Sequence, residues 1–408
     1  GGMPPSAPPR DARRARLAVS LIFFLNGASF CAILPRYPEL VESIGLSNTA
    51  FGLAVGLGPL GGLLAGLFAA RLLSRFGSAR ASVAFQLLAS TSHLAIYVSG
   101  SWLWLTAALL LAQAADALTD ISMNAHGMRV ERRYRRSIMN SYHGFWSLGG
   151  MVGGLTGGAM IVTLGEMGHA LAVGAIGLAV ALWAWRHYRP DEFGVDASET
   201  GEARTPRRTG IPREAGIYGL GILTLLAFAP EGTVIDWSAL YLRDELGAPL
   251  VVSGYAFAAF SATMAAVRFL GDGLRARFGD RRIFLASSAV AATGLAIAGT
   301  APGFLVACAG FFIAGLGMAN MVPILFSAAG AYPGLPPAVA IAVITTFGYA
   351  GLLFMPAFVG ALAETFSLAL VFTGWSLIVL AVGASSLVIG YLPSRSSGSA
   401  DSVSARKS

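Results

Sequence analysis

Leu72-Leu73-Ser74-Arg75-Phe76-Gly77-Ser78-Ala79-Arg80 returns further along the chain as Leu274-Arg275-Ala276-Arg277-Phe278-Gly279-Asp280-Arg281-Arg282. Leu72, Arg75, Phe76, Gly77 and Arg80 all meet their own kind in one register. That register also pairs Gly45 with Gly247 and Gly52 with Gly254. Chance gives one or two such coincidences, so the chain reads as two copies of one template. Each copy of the element lies between two long apolar runs, at a short charged loop.

Those runs set the class. Hydrophobic residues make up 55% of the 408 residues, charged residues only 12%, and the mean hydropathy is +0.67. A soluble domain carries about 25% charged residues, enough to cover a globule in water. A membrane-spanning helix needs about 20 mostly apolar residues. Twelve stretches qualify. The first six are 17–36, 49–73, 81–99, 102–127, 138–164 and 168–186. The second six are 215–242, 250–273, 283–300, 303–331, 337–362 and 366–392. They are too long for barrel strands of roughly 10 residues. The expected architecture is therefore all-α, with two six-helix bundles at 17–186 and 215–393. A polar linker at 187–214 joins them, and polar tails at 1–16 and 394–408 are expected to be disordered. The first run is too long for a cleavable leader. Cys31 and Cys308 fall inside apolar runs and offer neither a disulfide nor a metal spacing.

The net charge of +7 belongs to topology rather than to nucleic acid. Of the 28 Lys and Arg, all but Arg36 and Arg243 fall in the tails, the central linker or the loops on one side of the expected spans. This is the positive-inside bias, and it predicts both termini in the cytoplasm of a bacterial inner membrane. The basic face would meet anionic lipid headgroups. The chain is expected to act as a monomer.

The repeated loop element resembles the signature loop of the major facilitator superfamily, roughly G-x-L-x-D-R-x-G-x-R-R. The copy at Gly271-Asp272 through Arg282 is the fuller one; in the other, Ser74 stands where the family has an acid. The resemblance implies rocking bundles around a midplane cavity, with Arg75, Arg80, Arg277 and Arg282 at a cytoplasmic gate. Arg268 and Asp272, four apart, suggest a gate pair. A second resemblance lies in Asp120-Ile121-Ser122-Met123-Asn124, in Met139-Asn140-Ser141-Tyr142-His143-Gly144-Phe145-Trp146 and in Pro230-Glu231-Gly232 with Asp236-Trp237. These look like a poorly characterised bacterial branch of that superfamily, and the first two are distantly similar to the fucose–proton symporter. There an acid four residues before the helix-4 Asn takes part in proton coupling, the place of Asp120 before Asn124. His143 falls where that family has a sugar-binding Gln. Cys31 stands where it has a helix-1 Asp, so fucose itself is not implied.

A charge at mid-bilayer costs at least ~2.5–3.5 kcal/mol, so such residues are functional candidates by default. Asp116, Asp120 and Asn124 recur every four residues and share one helix face. Two carboxylates one turn apart repel, which favours one of them holding a proton. Glu231 lies between Pro230 and Gly232, where a broken helix would expose backbone groups to a substrate. Asp236 is read either as a proton site or as an outer gate paired with Arg36 or Arg243. These four acids are the proton-coupling candidates. His143, Trp146, Asn124 and Trp237 are candidate substrate contacts. Asn26 and Asn320, single polar residues in apolar runs, are read either as interhelical hydrogen bonders or as further contacts. Gly149, Gly153 and Gly157, shadowed by Gly150, Gly154 and Gly158, mark close helix packing. No Walker motif, metal pair or catalytic array is present, so no cofactor and no enzymatic activity are expected. The chain reads as a secondary transporter of a small polar solute, proton-coupled symport being favoured over efflux by antiport or a receptor role.

Overall fold

The computed structural model describes residues 10–134, 138–188 and 211–392, apart from the side chains of Asn140, Asp272 and Ala338. Residues 1–9, the C-terminal tail at 394–408 and most of the linker lie outside the described residues. In the first half, α1 (Arg10–Ala32) passes through a short turn into α2 (Tyr37–Ile44). Then come α3 (Asn48–Phe76), α4 (Ser78–Tyr97), α5 (Trp102–Tyr134) and α6 (Met139–His187). The second half holds α7 (Ala215–Leu240), α8 (Tyr255–Phe278), α9 (Asp280–Gly299), α10 (Phe304–Met318), α11 (Met321–Gly330), α12 (Pro337–Thr365) and α13 (Leu368–Val388).

Among the described residues, 10 helices are long and apolar enough to cross a bilayer. Two further spans complete the twelve. The 49 residues of α6 turn at Gly165, whose φ of 72° and ψ of 171° interrupt the helix and divide it into two crossings. The 20 residues of α4 also match a crossing in length, but Gln86, Ser90, Ser92 and His93 dilute its apolar character.

The duplication is visible in the backbone. Gly77 and Gly279 join α3 to α4 and α8 to α9 with nearly the same dihedrals, φ 78° with ψ 155° and φ 82° with ψ 151°. Gly45 and Gly247 are likewise left-handed, at 74° and 64°. Only glycine adopts such angles without strain. Arg75 lies over the Phe76 ring at 5.6 Å, and Arg277 over Phe278 at 5.2 Å.

Within the first bundle α1 packs on α6, and α5 on α3 and α4. Within the second, α9 packs on α10 and α13, α8 on α10, and α7 on α12. The bundles meet along α3 against α12 and along α6 against α8. The two glycine stripes of α6 serve different partners. A Cβ at Gly149 or Gly153 would strike the backbone of Phe24 or Ala28 on α1. One at Gly154 or Gly158 would meet Gly254 or Leu250 and Val251 of the other bundle. Small residues let helices approach this closely where no water is available to drive association.

Three expectations differ from what is observed. The first helix begins at Arg10, inside the expected tail. Ala12 and Ala15 are buried, and Arg16 lies 4.9 Å from the Tyr134 ring, which anchors the extra turns. No break occurs at Pro230: α7 runs through it and ends in a wider turn at Tyr241–Glu245. The chain instead breaks at Ala319 and Asn320, between α10 and α11. Finally, neither expected arginine partner reaches Asp236. Arg36 pairs with Glu166, and Arg243 with Glu39 at 2.6 Å.

Candidate functional site

One end of the molecule is sealed. A Cβ at Gly52 would overlap the carbonyl of Pro356, and one at Gly360 that of Asn48. The ring of Trp237, fully buried, meets Phe51 edge-on at 5.3 Å, and Phe51 meets Tyr37 at 5.1 Å. Two polar contacts cross the same seam, Arg243 to Glu39 and Thr49 to Glu364. Toward the opposite end α3 and α12 are separated by a space lined by Gly62, Leu63, Gly66 and Leu67 of α3 and Tyr349 of α12.

Between the parted helices lies a cavity of about 490 Å³. Its wall takes Pro59 and Gly62 from α3, Asp116 and Asp120 from α5, Ile235 and Asp236 from α7, and Tyr349 from α12. Three carboxylates thus face one space, from both bundles. Among the described residues no lysine, arginine or histidine lines it. A larger apolar groove of about 990 Å³ lies within the second bundle, but its acid, Asp280, is held by Arg275 at 2.8 Å.

Behind the α5 face sits a compact polar network. Asn26 donates from Nδ2 to Asp116 at 2.8 Å and to Gln86 at 3.1 Å, and its Oδ1 accepts the Trp146 indole N–H at 2.8 Å. Gln86 in turn donates to Ser90 at 3.2 Å. Asn26 is 3% exposed and therefore joins four helices rather than facing the cavity. Asn124 folds back one turn and donates to Asp120 at 3.0 Å.

His143 and Trp146 open onto a separate space of about 270 Å³ between α6 and α8, beside Arg268 and Phe269. Arg268 lies 3.8 Å from Glu231, which does not line the acidic cavity. The expected partner side chain, Asp272, is outside the described residues. Trp237 belongs to the sealed end, although it also borders a small void next to Asp236. Asn320 stands at the α10–α11 break, packed against Gly271. Arg75, Arg80, Arg277 and Arg282 are exposed and make no ion pair among the described residues.

Residues 19–334 match the model of the Major Facilitator Superfamily. The chain belongs to the major facilitator superfamily. An uncharacterised MFS-type transporter of Yersinia pestis is 30% identical over 383 residues, covering 92% of this chain and 95% of that protein. Membrane protein MosC of Rhizobium meliloti is 29% identical, covering 86% and 84%. In fold, the transporter is similar to a mutant form of the nucleoside transporter NupG, with a TM-score of 0.73 at 10% identity over 91% of this chain and 99% of that one. It is also similar to a bacterial homologue of the human lysosomal transporter Spinster in an inward-facing conformation, with a TM-score of 0.68 at 16% identity over 93% and 98%. The protein is thus a membrane transporter and not an enzyme.

Sequence reasoning missed Gln86, Gln113, Glu39 and Glu166. Gln86 had the same signal as Asn26, a single amide in an apolar run. The two glutamates lie near span ends, where a charge raises no alarm.

Proposed function

We propose that this transporter moves a small polar solute through the cavity between its bundles by alternating access, with protons exchanged at Asp116, Asp120 and Asp236. The observation that carries the reading is the meeting of these three acids, from opposite bundles, in a space open at one end. A proton on Asp236 or Asp120 alters the repulsion across the cavity, and with it the balance between the two arrangements. The positive-inside bias supports placing the open end, with its basic loops, in the cytoplasm of an inner membrane. Glu231, screened from the cavity and close to Arg268, is a weaker proton candidate than Asp236.

Symport of a neutral polar solute fits Asn124, Gln113 and Tyr349 around the acids. A second reading, proton-driven export of an organic cation, is favoured by the lack of any basic lining residue. Solute-driven proton flux in proteoliposomes separates them, using monosaccharides and monovalent organic cations as probes. In symport the lumen acidifies with the sugar; in antiport protons leave as the cation enters. Either flux is expected to vanish in Asp116→Asn or Asp236→Asn. A solute that binds and crosses with no proton movement would overturn the coupling.

A further inference from the structure

The interior of the first bundle carries a polar stripe that the cavity does not use. On α4, Gln86, Ser90, His93 and Tyr97 recur at spacings of four, three and four, which places them on one face. All four are buried. Asn26 links this stripe to Asp116 at the cavity wall. Further along, His93 lies beside the backbone of Ser29, and the Tyr97 ring meets His169 edge-on at 5.2 Å. The Tyr97 carbonyl accepts from Arg36 at 3.2 Å, and Arg36 pairs with Glu166. Arg36 is 3% exposed, whereas Glu166 is 47% exposed. The stripe therefore joins the cavity carboxylate to the surface of the sealed end.

Among the described residues Ser29 Oγ, His93 Nδ1, both ring nitrogens of His169 and Arg36 Nε have no hydrogen-bond partner. Buried polar atoms nearly always bond to protein or to ordered water. Water has the size and the mix of donor and acceptor that these atoms need. Apolar side chains of similar volume would fill the space without leaving polar groups to satisfy. A set of histidines and hydroxyls lined up from surface to cavity calls for a different explanation than packing.

We propose that this stripe is a water-bridged proton route from Glu166 to Asp116, shut at its mouth by Arg36. A proton arriving from solvent binds at the Glu166 carboxylate and passes from water to water along the chain that His169, His93 and the hydroxyls of Ser29 and Ser90 hold in place. Each water gives up one proton as it receives another, and the last proton ends on the Asp116 oxygen that Asn26 does not engage. The buried guanidinium of Arg36 repels a passing hydronium, as arginines do in pores that exclude protons. This matters because Asp116 already faces the open cavity, so an unguarded route would short-circuit the membrane. The charged and titratable groups facing the route are Arg36, Glu166, Tyr97, Cys31 and, one turn beyond Asp116, Asp120. The proposal rests on Asp116 being a proton carrier.

The test needs no transported solute. Protein in liposomes with an internal pH dye is driven by a potassium diffusion potential. Wild type is expected to be tight. Arg36→Gln should raise proton entry about tenfold or more, a tenfold change being about 1.4 kcal/mol of barrier. Adding His93→Leu or His169→Leu should return it to the wild-type rate, while His93→Gln and His169→Gln should leave it raised. A leak from misfolding would ignore this pattern. No leak in Arg36→Gln, or one indifferent to both leucines, overturns the route. If the leucines stop the leak but Asp116→Asn does not, the route stands and the role of Asp116 as carrier fails. Radiolytic hydroxyl-radical labelling of the wild-type protein gives a second reading: His93 and His169 should be labelled despite their burial, and absence of label at both overturns the water bridge.

Discussion

Asn26 uses both N–H donors of its side chain and accepts at Oδ1, which ties Trp146 to Asp116 and Gln86. Asn26→Leu would leave Oε1 of the buried Gln86 without a partner, at a cost of ~1–3 kcal/mol in a soluble protein and somewhat less between membrane helices, and would strip the half-buried Asp116 and Trp146 of theirs. A marked fall in thermal stability in detergent is expected, larger than for Asn124→Ala, whose partner Asp120 is exposed to the cavity. The two readings of Asn26 open from sequence are resolved by its burial. The pairing of Asp116 and Asp120 on one face was legible because four-residue spacing fixes a helix face. Asp236 was a candidate from sequence, but its meeting with that pair in one cavity was not legible, since which helix faces which depends on how two bundles lean together.

At the scale of elements, the glycines of α3 and α6 decide how near the bundles come. The i+4 spacing gave away close packing but not its direction, because adjacent stripes on one helix face different neighbours. Gly52→Val is expected to push α3 from α12 at the sealed end, an overpacking cost of about 1–3 kcal/mol. Maleimide labelling of Ala54→Cys, made in a Cys31→Ser, Cys308→Ser background, checks it: Ala54 is fully buried on α3, and its labelling should accelerate as α3 shifts. The reading of Pro230 as a break failed for a related reason. A proline removes one backbone bond, and packing of α7 against α12 holds the helix through it. The break falls instead at Ala319 and Asn320, between α10 and α11, while the turn at Gly165 falls where the sequence separates the spans 138–164 and 168–186.

At the scale of the molecule, twelve spans in two bundles were legible because hydropathy, basic loops and an internal repeat agree. The sealed seam was not, because its contacts join residues far apart in sequence. The ion pair of Arg243 with Glu39 crosses that seam at 20% and 21% exposure. An ion pair this exposed contributes up to about 1 kcal/mol. Glu39→Gln should therefore favour opening of this end by no more than about fivefold, read as faster labelling of the same Ala54→Cys reporter.

Alternating access through the acidic cavity is tested most directly by two spin-label distances in the same reconstituted protein. One pair, at Leu67 and Tyr349, spans the open end; the other, at Ser43 and Thr365, spans the sealed end. On acidification the first distance should shorten in the same fraction of molecules in which the second lengthens, and Asp116→Asn with Asp236→Asn should remove the pH response. Two distances that stay fixed at every pH, with and without a transported solute, would contradict the account.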